Sequence, residues 1–269
     1  MDNSTAPRGT GENERRTGAL DLEVAMDVLD DLEQEQNALA AVLAGLSADD
    51  WKRPSSAAGW TVADVVLHLA QLEEAVVASA ADDPRGIDWR RFGATVDDGM
   101  DAMVRADPAE PAEIHARWQA ARRASVRALR AADPAQPLRW VTTSLKPRTL
   151  ATTRLAEHWA HGLDITVPLG VDYPDTARLR HVAWLGHSTL PYAWQLAGRP
   201  AVPLYCDLTA PDGSRWEFGD PAAESAISGD AGVFCRVGAR RLAPADSGLR
   251  TRGPHGDEAL HLLRNYALT

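Results

Sequence analysis

The sequence predicts a bundle of α-helices followed by a small unit of mixed α and β structure. Before residue 170, four long segments repeat apolar residues at steps of three and four, the period of a helix buried on one face. After Gly170, short apolar runs flank a strong turn signal at Pro211, Asp212 and Gly213. The chain has 269 residues, and because a domain takes about 150 residues, two domains are expected.

The first two predicted helices follow from apolar periodicity and from their start signals. Residues 20–46 carry a leucine-rich stripe, no proline interrupts them, and acidic residues fill the opposite face. Ser47 comes next and can cap a short helical turn. A second helix is predicted over residues 61–79, where Thr61 and Asp64 form a capping box with Asp in place of the usual Glu.

Three further helices complete the predicted bundle. Residues 89–105 form a weak third helix, residues 111–132 a fourth and residues 147–170 a fifth. Four long helices with one short connecting helix are typical of an up-and-down bundle. The irregular stretch at 81–109 is predicted to shape a pocket or a lid.

After residue 172 the predicted elements are shorter, and strands appear among the helices. The turn at Pro211-Asp212-Gly213 joins two strand-like runs and predicts a β-hairpin. The predicted elements are a helix at 176–197, strands at 202–209, 214–218 and 224–228, and helices at 229–240 and 257–268.

Composition and charge exclude several classes of protein. The net charge of −10 argues against a general binder of nucleic acid or anionic membranes. Apolar stretches fall short of the roughly 18 residues that a membrane-spanning helix needs. Two cysteines, Cys206 and Cys235, exclude a disulfide framework and a Cys-based zinc site, and both are predicted to be small buried hydrophobic residues. Residues 1–17 are polar, lack the apolar core of a secretory signal, and are predicted to be the disordered tail of a cytoplasmic protein.

A pair of side chains on the fifth predicted helix has the spacing of a metal site. Glu157 and His161 are four residues apart, so they lie on one helix face about one turn apart and can bind one cation. A third ligand is needed, and His68 is the best candidate because it lies mid-helix among apolar neighbours. Imidazole suits zinc, nickel or iron. The competing interpretation is that these are structural core or surface residues. His158 points about 100° away from Glu157 and is predicted to be a surface or interdomain residue.

Two sequence motifs resemble those of a known superfamily. Residues 59–69 (GWTVADVVLHL), preceded by LSADDW at 46–51, resemble the first metal motif of the DinB-like superfamily and, more closely, of the mycothiol-dependent maleylpyruvate isomerase group. Residues 154–164 (RLAEHWAHGLD) are similar to the second motif, which supplies Glu and His four residues apart. Residues 178–183 and 208–213 look like the linker helix and hairpin of an actinobacterial branch of this group.

The resemblance implies a fold and a ligand set. It implies a DinB-like four-helix bundle over residues 18–172, followed by a small sterol-carrier-like α+β domain over residues 173–269. It also implies a His-Glu-His site of His68, Glu157 and His161, most often occupied by zinc. Three protein ligands leave coordination positions open, as catalytic rather than structural zinc sites do.

In the isomerase, an arginine from the second domain joins the active site. Candidates in this chain are Arg241, Arg240 and Arg236. The planar guanidinium suits a substrate carboxylate because it pairs with two oxygens. For each arginine the alternative is a solvated surface charge.

The tryptophans are unusually numerous, nine against three phenylalanines. Trp51 and Trp60 bracket the turn into the His68 helix, and Trp159 lies between the two ligands of the second motif. These large side chains are predicted to pack the metal helices in place.

These observations predict a metal-dependent enzyme that uses mycothiol as an isomerase or S-transferase on a small molecule. A divalent cation lowers the pKa of a bound thiol, and the resulting thiolate adds to an electrophilic carbon. One alternative is a thiol-independent lyase, cyclase or hydrolase in which the cation acts as a Lewis acid or activates water. Another is a metal- or ligand-binding protein without turnover. The substrate and the oligomeric state stay open at this stage.

Overall fold

Five helices form the first part of the chain in the computed structural model, which describes residues 27–83, 91–141 and 143–265. The helices are α1 (Val28–Ala44), α2 (Val62–Ala80), α3 (Val96–Arg105), α4 (Pro111–Ala131) and α5 (Pro147–Leu169). Helix α2 packs mainly against α4, and α1 packs against α5, while the short α3 connects α2 to α4. The predicted bundle of four long helices and one connecting helix is therefore confirmed.

Start and stop signals in the sequence set the ends of the long helices. The Thr61 hydroxyl accepts a hydrogen bond from the Asp64 amide, and the Asp64 carboxylate accepts one from the Thr61 amide at 2.8 Å. This is the predicted capping box, and it starts α2. Helices α4 and α5 begin with Pro111 and Pro147, whose missing N–H costs nothing in the first turn. Helix α5 ends at Gly170 with a left-handed φ of 67°.

Two helices differ clearly from the prediction in their bounds. Helix α3 begins only at Val96, because the Thr95 side chain accepts a hydrogen bond from the Asp98 amide and caps the helix there. The last helix, α8, is shorter than expected and ends at Leu262, because the segment that follows it hydrogen-bonds to the end of α7. There the Asn265 amide donates to the Gly238 carbonyl at 2.9 Å. The predicted tail at 1–17, the start of the first helix at 20–26, and positions 84–90 and 266–269 lie outside the described residues.

The second part of the chain combines a small mixed sheet with three helices. Strand β3 pairs with β4 as the predicted hairpin and with β5 in parallel, and β6 closes the other edge, giving the order β4-β3-β5-β6. The sequence did not predict β6 or the two-residue strands β1 and β2, which are too short to show periodicity. Strands β1 (Leu138–Arg139) and β2 (Ser144–Leu145) lie in the first part, between α4 and α5. The elements of the second part are α6 (Leu179–Leu196), β3 (Leu204–Thr209), β4 (Arg215–Phe218), β5 (Ser225–Asp230), α7 (Ala231–Gly238), β6 (Arg250–Arg252) and α8 (Gly256–Leu262).

The largest cluster of buried apolar side chains extends from the bundle into the second part. Trp159 of α5, Val182 of α6 and Phe234 of α7 belong to this cluster together with Leu208 of β3. A second cluster fills the space between α1, α2 and α4. The connection at 170–178 has little regular structure, and the domain boundary at 172–173 stays a prediction.

Within residues 27–83, 91–141 and 143–265, no helix is both long enough and apolar enough to span a membrane.

Candidate metal centre

Helices α2 and α5 bring the three predicted ligands together. His68 lies near the middle of α2, and Glu157 and His161 lie one turn apart on α5. One ligand atom from each of these residues lies within 4.8 Å of the other two. Glu157 Oε2 is 3.4 Å from His161 Nε2 and 4.0 Å from His68 Nε2. The sequence spacing on α5 and the choice of His68 on α2 thus predicted one real cluster.

The cluster has the dimensions of a cation site. Two ligand atoms at about 2.0–2.1 Å from a tetrahedral cation are about 3.3 Å apart. The contact between Glu157 and His161 already has this length, and the distance from His68 Nε2 to Glu157 Oε2 exceeds it by less than one ångström. Two imidazoles and one carboxylate are a ligand set that zinc accepts. The residues therefore fit a divalent cation.

The electrostatics of the cluster favour positive charge between the ligands. Burial lowers the pKa of His68 to about 3, so this imidazole is neutral at neutral pH and keeps a lone pair for a cation. Removal from water raises the pKa of Glu157, but the hydrogen bond and charge of His161 outweigh this and hold the pKa below its ordinary value. Burial lowers the pKa of His161, yet Asp164 and Glu157 raise it above its ordinary value. A bound cation would supply the charge that these carboxylates attract.

Trp60 covers one side of the cluster. Its ring centroid is 5.0 Å from that of His68, and it stacks on His161 at 6.4 Å with an interplanar angle of 23°. The indole Nε1 donates a hydrogen bond to Asp101 Oδ1 at 2.8 Å, which fixes the ring. The predicted packing role of Trp60 is thus confirmed, and the ring also shields the ligands from water.

Asp164 is a residue of the site that the sequence analysis did not single out. Its Oδ2 accepts a hydrogen bond from His161 Nδ1 at 2.9 Å, and its side chain is only 1% exposed. Burial raises the pKa of Asp164, but hydrogen bonds from His161 and Arg241 hold it below its usual range. The signal was present in the sequence, since Asp164 follows His161 by three residues and therefore lies on the same helix face.

The three candidate arginines take different positions. Arg241 reaches α5 from the second part and pairs with both oxygens of Asp164, with Nε 2.9 Å from Oδ1. Arg240 is exposed and has a left-handed φ of 62°. Arg236 pairs with Asp175 at 2.6 Å. Among the three, Arg241 is the one that the structure brings to Asp164, the hydrogen-bond partner of His161.

His158 lies off the metal face, as predicted, but its assignment to the surface or to an interdomain position is wrong. Its side chain is fully buried in the bundle. The ring Nδ1 is 2.8 Å from the Arg154 carbonyl, and the Trp118 indole donates to Nε2 at 3.3 Å. These partners satisfy both ring nitrogens, so His158 is a structural residue. Spacing alone could not show this, because α5 is buried on nearly all sides.

The two cysteines are buried free thiols, as predicted. Burial raises the pKa of Cys206 to about 12 and that of Cys235 well above its ordinary value. Neither thiol is therefore ionised at neutral pH, which argues against a role as nucleophile.

A groove of about 720 Å³ lies between α2, α3 and α4. Gln71, one turn beyond His68 on α2, lines it together with Phe92, Met103 and Arg117. Part of the stretch at 81–109 thus shapes a pocket, as predicted, although the segment 84–90 lies outside the described residues.

Comparison with known proteins identifies the family. Residues 32–166 match the family model described as the mycothiol maleylpyruvate isomerase N-terminal domain. The chain belongs to the mycothiol maleylpyruvate isomerase family. This membership confirms the sequence resemblance and agrees with the DinB-like bundle followed by a small α+β part.

Relatives and solved structures extend the likeness beyond the matched segment. Two uncharacterized proteins of Mycobacterium tuberculosis, from strains CDC 1551 / Oshkosh and ATCC 25618 / H37Rv, are each 31% identical over 241 residues, covering 88% of this chain and 94% of the relative. A crystal structure of a histidine-to-alanine mutant of mycothiol-dependent maleylpyruvate isomerase matches with a TM-score of 0.56 and 14% identity, covering 83% of this chain and 91% of that one. The unmutated isomerase gives a TM-score of 0.53 at the same identity and coverage. These structural matches show the shared fold.

Proposed function

We propose that this member of the maleylpyruvate isomerase family is a metal-dependent enzyme that activates the thiol of mycothiol, as an isomerase or an S-transferase of a small electrophilic metabolite. The observation that carries the proposal is the convergence of His68, Glu157 and His161 on one point. Glu157 is 26% exposed, against 8% and 11% for the two histidine side chains. The cluster is therefore accessible from the side of the carboxylate, where an open coordination position would face incoming ligands.

His68, Glu157 and His161 would hold the cation, with zinc as the first choice and nickel or iron as alternatives. A divalent cation supplies a Lewis acid that lowers the pKa of a bound thiol, so that the thiolate forms near neutral pH. The protein provides two neutral nitrogen donors and one anionic oxygen, which leaves a net positive charge for an anionic fourth ligand. Trp60 keeps water away from one side.

The thiol chemistry differs between the two proposed reactions. In an isomerisation, the thiolate adds to one carbon of a conjugated double bond, whose electrons move onto the substrate carbonyl. The former double bond can then rotate, and it re-forms as the C–S bond breaks and the thiolate leaves. In an S-transfer, the C–S bond stays and the substrate leaving group departs with the electron pair.

Arg241 is the proposed partner of a substrate carboxylate. Its guanidinium pairs with Asp164, which in turn accepts a hydrogen bond from the proposed ligand His161. Arg241 comes from the second part of the chain. Arg240, the other candidate, is exposed and follows the end of α7. A substrate carboxylate needs such local positive charge, because the protein as a whole carries a net charge of −10.

The test combines metal content with a thiol response. The full-length wild type is expected to contain about one divalent cation per chain, and His68→Ala, Glu157→Ala and His161→Ala to lose it while staying folded. His115→Ala is the matched control, since this half-buried histidine stacks near Trp51 and Trp118 instead. Mycothiol at 100 times its Kd should stabilise the native metal-loaded protein by about 2.7 kcal/mol, seen as a higher Tm.

Each outcome distinguishes one function from another. A metal-loaded wild type with a thiol response and turnover of an electrophile supports the proposal. Metal without a thiol response favours the thiol-independent lyase, cyclase or hydrolase. Metal and thiol binding without turnover of any electrophile tested favours a binding protein. A wild type that binds no cation, like His68→Ala, overturns the metal site itself.

A further inference from the structure

We propose that Asp164 is a positioning residue for the metal ligand His161, and that Arg241 holds Asp164 so that cation binding in the bundle depends on the second part of the chain. This inference rests on the metal site of the proposed function and extends it to two residues that do not contact the cation. The chain of contacts runs from Arg241 to Asp164 to His161. The contact between Arg241 and Asp164 joins residues that are 77 positions apart.

The first contact orients the histidine. Asp164 Oδ2 lies 2.9 Å from His161 Nδ1, so this nitrogen carries a hydrogen and Nε2, on the side of Glu157, is the nitrogen that would bind the cation. A carboxylate behind a metal-bound imidazole fixes the ring and strengthens the nitrogen as a donor. His68 lacks such support, since its buried Nδ1 has no hydrogen-bond partner among the described residues. The support is therefore specific to one of the two histidine ligands.

The second contact fixes the carboxylate. The Asp164 side chain is almost fully buried, and a buried charge is stable only when it is paired. Arg241 supplies this pairing with Nε and Nη2, one to each carboxylate oxygen. The backbone carbonyl of Asp164 is also held, by the Ser56 amide at 2.9 Å. Asp164 is thus fixed from three sides, by His161, Arg241 and the loop before α2.

The turn after α7 orients the Arg241 side chain towards the bundle. Arg240 takes the left-handed conformation at the end of this helix, and the Arg241 amide donates to the Arg236 carbonyl at 2.9 Å. Arg241 Nη1 donates to the Ala239 carbonyl at 2.6 Å, which holds the side chain in place. The guanidinium is therefore preorganised by the second part before it meets Asp164.

Cation affinity is the measurement that tests this inference. Zinc affinity of the full-length protein is determined by competition with a chromophoric chelator, and the cobalt-substituted protein reports ligand geometry by its visible absorption. Asp164→Asn is expected to weaken zinc binding by about 10–100-fold and to shift the cobalt spectrum. Arg241→Gln should weaken binding in the same direction, because Asp164 then loses its anchor. Zinc should slow hydrogen exchange at 236–241 in the wild type but not in Asp164→Asn.

Asp175→Asn is the matched control. Asp175, in the segment that connects the two parts, pairs with Arg236 of α7 through two hydrogen bonds of 2.6 and 3.0 Å. This ion pair also involves the second part of the chain, but it does not include His161 or Asp164. This variant should keep the wild-type zinc affinity. Equal affinity in Asp164→Asn and wild type, with unchanged cobalt spectra, would overturn the inference. If Asp164→Asn does not fold, unchanged affinity in Arg241→Gln overturns it. A wild type without zinc affinity overturns the proposed function instead.

Discussion

Glu73 of α2 and Arg154 of α5 form an ion pair that is closed off from water, and each lies within five residues of a proposed metal ligand on its helix. Their side chains are 0% and 1% exposed, and Arg154 Nε is 2.8 Å from Glu73 Oε1. The Ser125 hydroxyl donates to the other oxygen of Glu73. The charge of Arg154 also lowers the pKa of His68 and of Glu157. Its effect is smaller than that of His161 and than that of burial, which lowers the pKa of His68 and raises that of Glu157. The pair therefore links the same two helices that carry the metal cluster.

Replacing one partner of this pair should strongly destabilise the protein. Glu73→Gln keeps the shape but leaves the Arg154 charge buried without an opposite charge, which costs about 3–5 kcal/mol. Urea unfolding measures this as a lower midpoint with an unchanged m-value. The control is Asp30→Asn, which removes an exposed partner of Arg130 and should cost less than about 1 kcal/mol. Equal effects of the two substitutions would contradict the prediction.

At the scale of elements, α5 carries two residues of the metal cluster, and it also packs against the segment that connects the two parts of the chain. Gly162 follows the ligand His161 and faces the ring of Tyr173, whose nearest atom would lie 2.8 Å from an added Cβ. The Tyr173 hydroxyl donates to Glu35 Oε1 at 2.6 Å, and Arg178 Nε donates to Oε2 of the same residue at 2.7 Å. The connecting segment is thereby bound to α1, and the tyrosine ring has little freedom to move.

The close contact at Gly162 predicts how Gly162→Ala changes the free energy of unfolding. The sign of this change distinguishes helix propensity from steric overlap as the larger effect. Helix propensity alone predicts that Gly162→Ala stabilises the protein by about 1 kcal/mol. We expect the opposite, a loss of about 1–3 kcal/mol, because the methyl group overlaps the restrained ring of Tyr173. Thermal and urea unfolding measure the effect. Adding Tyr173→Ala should remove most of the cost of Gly162→Ala, as coupled residues do. Stabilisation by Gly162→Ala in the wild-type background would contradict this account.

At the scale of the molecule, the two parts share buried surface. The main apolar cluster contains Trp159 and Leu163 of α5 together with Phe234 of α7 and Leu208 of β3. The pair of Arg241 and Asp164 adds a polar contact between the same parts. Residues on both sides of the predicted boundary therefore lose packing partners if either part unfolds.

This shared core predicts that the chain unfolds in one cooperative transition. Calorimetry should show a single peak whose calorimetric and van't Hoff enthalpies agree. Zinc should move this whole peak to higher temperature, because a ligand of the native state stabilises everything that unfolds with it. The chelator-treated protein is the control. Two separate peaks, with only one of them shifted by zinc, would show that the parts are thermodynamically independent.

Local patterns in the sequence account for the long helices, the hairpin and the ligand pair on α5. The capping box at Thr61, the terminal Gly170 and the step from Glu157 to His161 involve residues at most a few positions apart, and helix geometry converts such spacing directly into contact. The choice of His68 rested on its place mid-helix among apolar neighbours and on the resemblance of residues 59–69 to the first metal motif of the family. These features were determined by the sequence alone.

Only the tertiary structure decided which residues lie next to the proposed metal ligands and hydrogen-bond to them or to their partners. Asp164 meets Arg241 across 77 positions, and Glu73 meets Arg154 across 81. Periodicity marks His158 as lying off the metal face but not whether another helix covers it, and the partner that does so, Trp118, is 40 positions away. The physical reason is that a helix repeat specifies directions around one axis, whereas burial and pairing depend on where separate elements pack. The cluster of His68, Glu157 and His161 could therefore be predicted from the sequence, and the contacts of Asp164 and Arg241 behind it could not.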